Sequence, residues 1–160
     1  MARVLGMICS PRKRSNTEIM VKEALRVVAE EGMETKALYL YDKHIEFCDG
    51  CLTCHKTGKC HISDDFEEIL MEMIESDGII IGAPVYFYSP PAKLHAFIER
   101  TAPSITYERG LPQRDFPLRN KVGAAIAVAT RRGQLETLAY INRWFQFNRM
   151  ILASQRNHPC

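Results

Sequence analysis

The 160-residue sequence predicts an α/β protein with a parallel sheet and helices on both faces. Three observations carry that expectation. Short apolar runs recur that fit strands buried on both faces. Amphipathic stretches with helical spacing alternate with them. The alternation is short and even, with no internal repeat and no low-complexity linker, so residues 1–160 read as one domain.

Residues 4–8 (VLGMI) are the first strand, and Cys9 to Arg14 form a polar turn after it. Residues 15–31 read as the first helix. Ser15 and Glu18 have capping-box spacing, Ile19, Met20, Ala24, Val27 and Val28 repeat helically, and Gly32 is a natural stop. Residues 35–41 are the second strand, and residues 42–62 show neither period and read as a long loop. The second helix starts at Ser63, Asp64 and Asp65, with Asp64 and Glu67 as a cap-like pair. Phe66, Ile69, Leu70, Met73 and Ile74 are its apolar stripe. Residues 78–82 (GIIIG) are the third strand, and residues 83–89 a Pro- and Tyr-rich loop. Pro90 and Pro91 open the third helix, which runs through Leu94, Phe97 and Ile98 to about Thr101. A polar connection over 103–119 leads to the fourth strand (122–128), the fourth helix (133–147) and the fifth strand (150–154).

Composition excludes several classes. Apolar residues make up 46% and charged residues 25%, which is globular rather than disordered. A formal charge of +2 gives no basic field for nucleic acid. No apolar run approaches the ~20 residues of a membrane span. Met1-Ala2-Arg3 leads straight into the first strand without a signal-peptide pattern, which places the chain in the cytoplasm. Six cysteines are many for such a chain, and four fall within 13 residues.

In a parallel sheet, ligands bind at the carboxyl ends of the strands, beside the first strand. Ser10, Arg12, Lys13, Arg14, Ser15, Asn16 and Thr17 gather hydroxyls, an amide and three cations at a helix N-terminus, where anions are favoured. The spacing is neither a P-loop nor a dinucleotide fingerprint, so a mononucleotide phosphate fits better; a capped helix with a solvated basic turn is the plainer alternative. Pro84, Val85, Tyr86, Phe87 and Tyr88 place aromatic surface at the end of a central strand. A flat conjugated ligand would explain it, as would packing against the third helix.

Cys48-x2-Cys51-x2-Cys54-x5-Cys60 is the strongest local signal. Three cysteines at this tight spacing can wrap one face of a [4Fe–4S] cubane, with Gly50 and Gly58 letting the backbone bend. Cys60 is local and followed by His61, unlike the remote Cys-Pro ligand of a ferredoxin. Zinc ligands usually fall into two separated pairs, and disulfides are disfavoured without export. Free thiols in a long loop are the other alternative. Cys9 reads as a small buried residue, Cys160 has no assigned role, and His44, His55 and His61 read as solvated. In the flavodoxin-like strand order 2-1-3-4-5, this loop emerges beside the phosphate turn. One site could then hold both a flavin and a cluster.

These residues resemble the iron–sulfur flavoproteins, in the NAD(P)H-dependent FMN reductase branch of the flavodoxin-like fold. The resemblance rests on Ser10-Pro11-Arg12 with Ser15-Asn16-Thr17, the four spaced cysteines, residues 80–86, and Lys93 through Arg100. Residues 117–121 and 130–134 add to it. It implies non-covalent FMN, with Ser10, Arg12, Ser15, Asn16 and Thr17 on the phosphate. Pro84, Val85, Tyr86, Phe87 and Tyr88 would border the ring, and Thr130, Arg131 and Gly133 would close the other side. It implies a [4Fe–4S] cluster on Cys48, Cys51, Cys54 and Cys60, a homodimer or tetramer, and a ferredoxin-like electron donor. No side chain is assigned as acid or base. Cys9 stands where such proteins usually have glycine, as do Ala129 and Thr130. The chain also ends about one helix short of the fold, as a short member or one truncated at the C-terminus. Two other functions compete: an NAD(P)H-dependent flavin or quinone reductase without a cluster, and a non-enzymatic zinc- or cluster-binding module.

Overall fold

The computed structural model describes residues 1–57, 59–106 and 117–153. Five strands form one parallel sheet: β1 (Arg3–Ile8), β2 (Glu34–Tyr39), β3 (Gly78–Pro84), β4 (Val122–Val128) and β5 (Ile151–Leu152). Their order is β2-β1-β3-β4-β5, the flavodoxin-like order. Five helices connect them: α1 (Asn16–Glu30), α2 (Thr53–Thr57), α3 (Phe66–Ile74), α4 (Ala92–Thr106) and α5 (Gln134–Phe147).

Alternation along β1 splits the core in two. Leu5 and Met7 join Ile79 and Ile81 of β3 against Phe66, Leu70, Phe97 and Phe145 of α3, α4 and α5. Ile8 and Ile80 face the other way, against Val21 and Leu25 of α1. On the α1 side Val122 and Ile151 stay exposed among the described residues.

Several expected boundaries shift. The second strand stops at Tyr39 and a 3-10 turn takes Leu40–Asp42, because Leu40 turns into the core. Residues 42–62 hold the unexpected α2. Helix α4 continues past Thr101 and through Pro103, since a proline biases a helix to stop without forbidding it. Only Ile151 and Leu152 pair as the fifth strand. Ser154, Gly58, Cys160 and most of the 103–119 connection lie outside the described residues.

Glycine sets the spacing between α1 and the sheet. A Cβ on Gly82 would lie 2.2 Å from Val21 Cγ2 and 3.2 Å from Thr17 Cγ2, and one on Gly6 2.6 Å from Leu25 Cδ1. The first turn of α1 can therefore lie directly against the carboxyl end of β3. Overpacking such a contact costs about 1–3 kcal/mol. Gly82→Ala is expected to lose about that much stability in urea unfolding followed by circular dichroism, with the fold retained.

Candidate functional site

The turn after β1 is built by its own polar groups. The Cys9 N–H donates to the Gly82 carbonyl at 2.8 Å and extends the ladder one residue. Its side chain is fully buried, and burial pushes the thiol pKa up, so Cys9 is an inert packing residue. Ser10 Oγ accepts the Arg12 N–H at 3.3 Å, and Arg14 takes a left-handed φ of 56°. Ser15 is the N-cap of α1, its Oγ accepting the Glu18 N–H at 3.2 Å.

Glu18 reaches back to complete the turn. Its carboxylate accepts from the Arg14 N–H at 2.7 Å, one residue before the position a capping box would use. It also accepts from Lys22 Nζ and the Tyr39 hydroxyl, both at 2.8 Å. Hydrogen bonds from Lys22 first, then Tyr39, hold its pKa near 2 rather than 4.5, against the effect of burial. Lys13 lies over the Tyr39 ring and pairs with Asp42 at 2.5 Å.

A cavity of about 440 Å³ opens above this turn. Ser10, Arg12, Ser15, Asn16 and Thr17 line one side, with Pro84, Val85 and Tyr86 opposite and Thr130 at the far edge. The first amides of α1 have no acceptor within the helix and belong to this side. The parallel sheet brings these residues together, because the loops after β1, β3 and β4 share one edge. The Val85 N–H donates to the Val128 carbonyl at 2.8 Å and ties the second loop to the third.

Phe87 and Tyr88 are turned away from that cavity. They form a two-residue hairpin turn with left-handed φ values of 48° and 63°, closed by mutual hydrogen bonds between Tyr86 and Ser89. Such φ values suit Asn or Gly far better than aromatics. Phe87 is 96% exposed. With Arg131 and Thr130 these two rings line an adjoining, more open cavity. Gly133 lines neither cavity: at φ 95° it packs under the turn, where a Cβ would lie 2.6 Å from Val85 Cγ1 and 2.9 Å from Tyr88 Cα.

The long loop after β2 gathers its cysteines. Cys48, Cys51, Cys54 and Cys60 all line one small hollow, together with Leu52, Ile62 and Arg100. Gly50 takes φ 71° at the bend and its N–H donates to Cys48 Sγ at 3.4 Å. Helix α2 carries Cys54, and Cys60 packs against the main core. Two tethers seat the loop on α4. Lys93 Nζ donates to the Lys43 carbonyl at 2.7 Å, and Arg100 reaches the Glu46 carbonyl at 3.1 Å. Lys93 also lies over the Tyr41 ring, and burial first, then the nearby Tyr86 and Cys9, raise the Tyr41 pKa.

The chain matches the NADPH-dependent FMN reductase family over residues 2–156. It is 42% identical to an iron–sulfur flavoprotein of Methanocaldococcus jannaschii, over 97% of this chain and 77% of that protein. It is 35% identical to an iron–sulfur flavoprotein of Methanosarcina thermophila, over 98% of this chain and 79% of that one. The chain belongs to the iron–sulfur flavoproteins of the FMN reductase family. It is an FMN-dependent oxidoreductase. Solved structures agree on the fold. RosB holding 8-demethyl-8-formylriboflavin-5′-phosphate superposes with a TM-score of 0.76 at 18% identity, over 99% of this chain and 68% of that one. The flavoenzyme NAD(P)H:acceptor oxidoreductase FerB of Paracoccus denitrificans gives 0.68 at 18% identity, over 98% of this chain and 78% of that one. No helix among the described residues is long and apolar enough to cross a membrane.

Against this family background, two site residues escaped the sequence reading. Glu18 has capping-box spacing, but its links to Arg14, Lys22 and Tyr39 depend on β2 lying beside α1. Arg100 ends a segment that carries the resemblance, but its burial and its partners have no local signal, because a buried arginine on an amphipathic helix looks like a surface one. His61 is not simply solvated: its Nε2 lies 2.8 Å from Asp49 Oδ2. Asp64 caps α3 through the Phe66 N–H at 3.1 Å, but its stronger partner is Arg100.

Glu18 gives a pH signature. A carboxylate with a depressed folded pKa stabilises the protein above its unfolded value and loses that contribution as pH falls through the folded one. Wild-type stability is therefore expected to fall between pH 4.5 and about 2 more steeply than that of Glu18→Gln. Urea unfolding across this range measures the difference.

Proposed function

We propose that the chain is a single domain holding FMN in the cavity above the turn after β1 and a [4Fe–4S] cluster on Cys48, Cys51, Cys54 and Cys60. It would carry electrons between a one-electron donor and an acceptor. The observation that supports this most is that one edge of the sheet presents both donor sets. The cavity floor is a capped helix N-terminus, and the loop beside it directs four thiols into one hollow.

The residues present fit both groups. Ser10, Arg12, Ser15, Asn16 and Thr17 offer hydroxyls, amides and a guanidinium to a phosphate dianion. Pro84, Val85 and Tyr86 wall the cavity beside the ring, with Thr130 opposite, while Arg131, Phe87 and Tyr88 line the adjoining cavity. Gly133 acts beneath, by letting the turn sit close. Four thiolates are a complete cluster donor set. When bound, the cluster passes single electrons and FMN takes one or two, so together they join one-electron and two-electron partners. The protein's part is to bind and orient: Lys93 and Arg100 hold the cysteine loop to α4. A ferredoxin-like donor, a cytoplasmic setting and a homodimer or tetramer complete the proposal.

One observation favours a second reading. Donor atoms of Asp49, Cys51 and His61 lie within 4.8 Å of one another, a mixed set suited to a single zinc ion.

Anaerobic purification with assays of FMN, iron, acid-labile sulfide and zinc separates the readings. The expected result is a coloured protein with FMN and equal iron and sulfide. Cys54→Ser should lose iron and keep FMN. Zinc in a colourless protein would overturn the proposal, and flavin without iron after anaerobic reconstitution would favour the cluster-free reductase. Riboflavin, which lacks the phosphate, should bind the apoprotein more than about tenfold more weakly than FMN in a fluorescence titration.

A further inference from the structure

Arg100 is the largest fully buried side chain among the described residues, at 2% exposure. It lies where the cysteine loop crosses α4. Its Nη1 and Nη2 meet the two oxygens of Asp64 at 2.5 and 3.0 Å, and the Asp64 side chain is itself wholly buried. Burial opposes the charge on each partner, and their mutual hydrogen bonds prevail: the Asp64 carboxyl is held below its usual range. The guanidinium also stacks 4.2 Å from the centre of the Phe66 ring.

A bidentate pair with Asp64 would suffice to neutralise this cation. Arg100 does more. Nη1 also donates to the Glu46 carbonyl, and Nη2 donates to Cys60 Sγ at 3.3 Å. A buried guanidinium thus touches one of the four sulfurs. By contrast, the Cys48 sulfur receives a neutral amide from Gly50 in an exposed setting. The potential of an iron–sulfur centre depends on local charge, hydrogen bonds to its sulfurs and solvent exposure. Arg100 supplies the first two at Cys60, which is half-buried whereas Cys48 and Cys51 are exposed. Its charge persists at all working pH values.

We propose that Arg100 is a positioning residue that raises the reduction potential of the cysteine-held centre, through its hydrogen bond to Cys60 and its buried positive charge. This rests on the cluster reading above. Reduction adds one electron to the centre and moves no proton at Arg100. The added negative charge is what the guanidinium stabilises. Anchoring Cys60 to α4 is a second, purely structural effect, which the experiment must separate from the first.

The test compares anaerobically reconstituted wild type, Arg100→Gln and Arg100→Lys, each holding FMN. Titanium(III) citrate is the reductant, and the reduced centre is read by electron paramagnetic resonance at fixed potentials. In Arg100→Gln the ratio of reduced to oxidised centre should fall about tenfold at a given potential, a shift of about 59 mV for one electron. Arg100→Lys, which keeps the charge, should fall by less than about threefold. An unchanged ratio in Arg100→Gln overturns the inference, as does an equal fall in both variants. If Arg100→Gln loses its iron, Arg100→Lys decides: iron retained with a small displacement supports the inference. Loss of iron from both variants with FMN retained leaves only anchoring and overturns it. Failure of the cluster reading looks different, because wild type itself would then contain no iron or sulfide.

Discussion

The site depends on how closely α1 approaches the β1–β3 pair. Gly6 and Gly82 leave no room for a methyl group between helix and sheet, so Val21, Leu25 and Thr17 pack onto strand backbone. That contact fixes where the helix begins. A helix N-terminus pressed against the carboxyl ends of two central strands presents its free amides to the loops of their neighbours. The cavity above the turn after β1 follows from the position of α1, and Ser10 to Thr17 line it because the chain must turn there.

The cysteine loop obeys a different constraint. It lacks a periodic apolar pattern to fold against, yet residues on both sides of it are held. Asp65 accepts the His44 N–H and Asp64 the Glu46 N–H, at 2.7 and 2.8 Å, which closes the base of the loop. Lys93 and Arg100 then bind its backbone from α4. A loop of this length costs little extra closure entropy once its ends are joined. The four thiols can therefore be arranged by a few local turns and the short helix α2.

Much of this was legible in the chain. The runs at 4–8, 78–82 and 122–128 announced strands, because a doubly covered sheet needs continuous apolar backbone. The alternation announced a parallel sheet with helices on both faces, the flavodoxin-like likeness its strand order, and the cysteine spacing a loop whose four thiols share one hollow. What escaped shares one physical cause. Glu18, Arg100, Tyr41 and the 3-10 turn at Leu40 owe their roles to partners distant in sequence, and local patterns carry no trace of them. Gly133 shows the same limit from another side. Its place beside the third loop was readable, but its position under Tyr88 rather than in the cavity wall required knowing how that turn folds.

The turn at Phe87 and Tyr88 has an evolutionary corollary. Two aromatic residues at left-handed backbone positions oppose local preference, by about 1–3 kcal/mol each for such strained sites. Mutagenesis selected for thermal tolerance alone should drift there toward Asn and Gly. Selection for turnover should hold the rings in place. On the role proposed for these rings, folding and use pull in opposite directions at this spot, and the identity of the two residues reports which pressure the chain has been under.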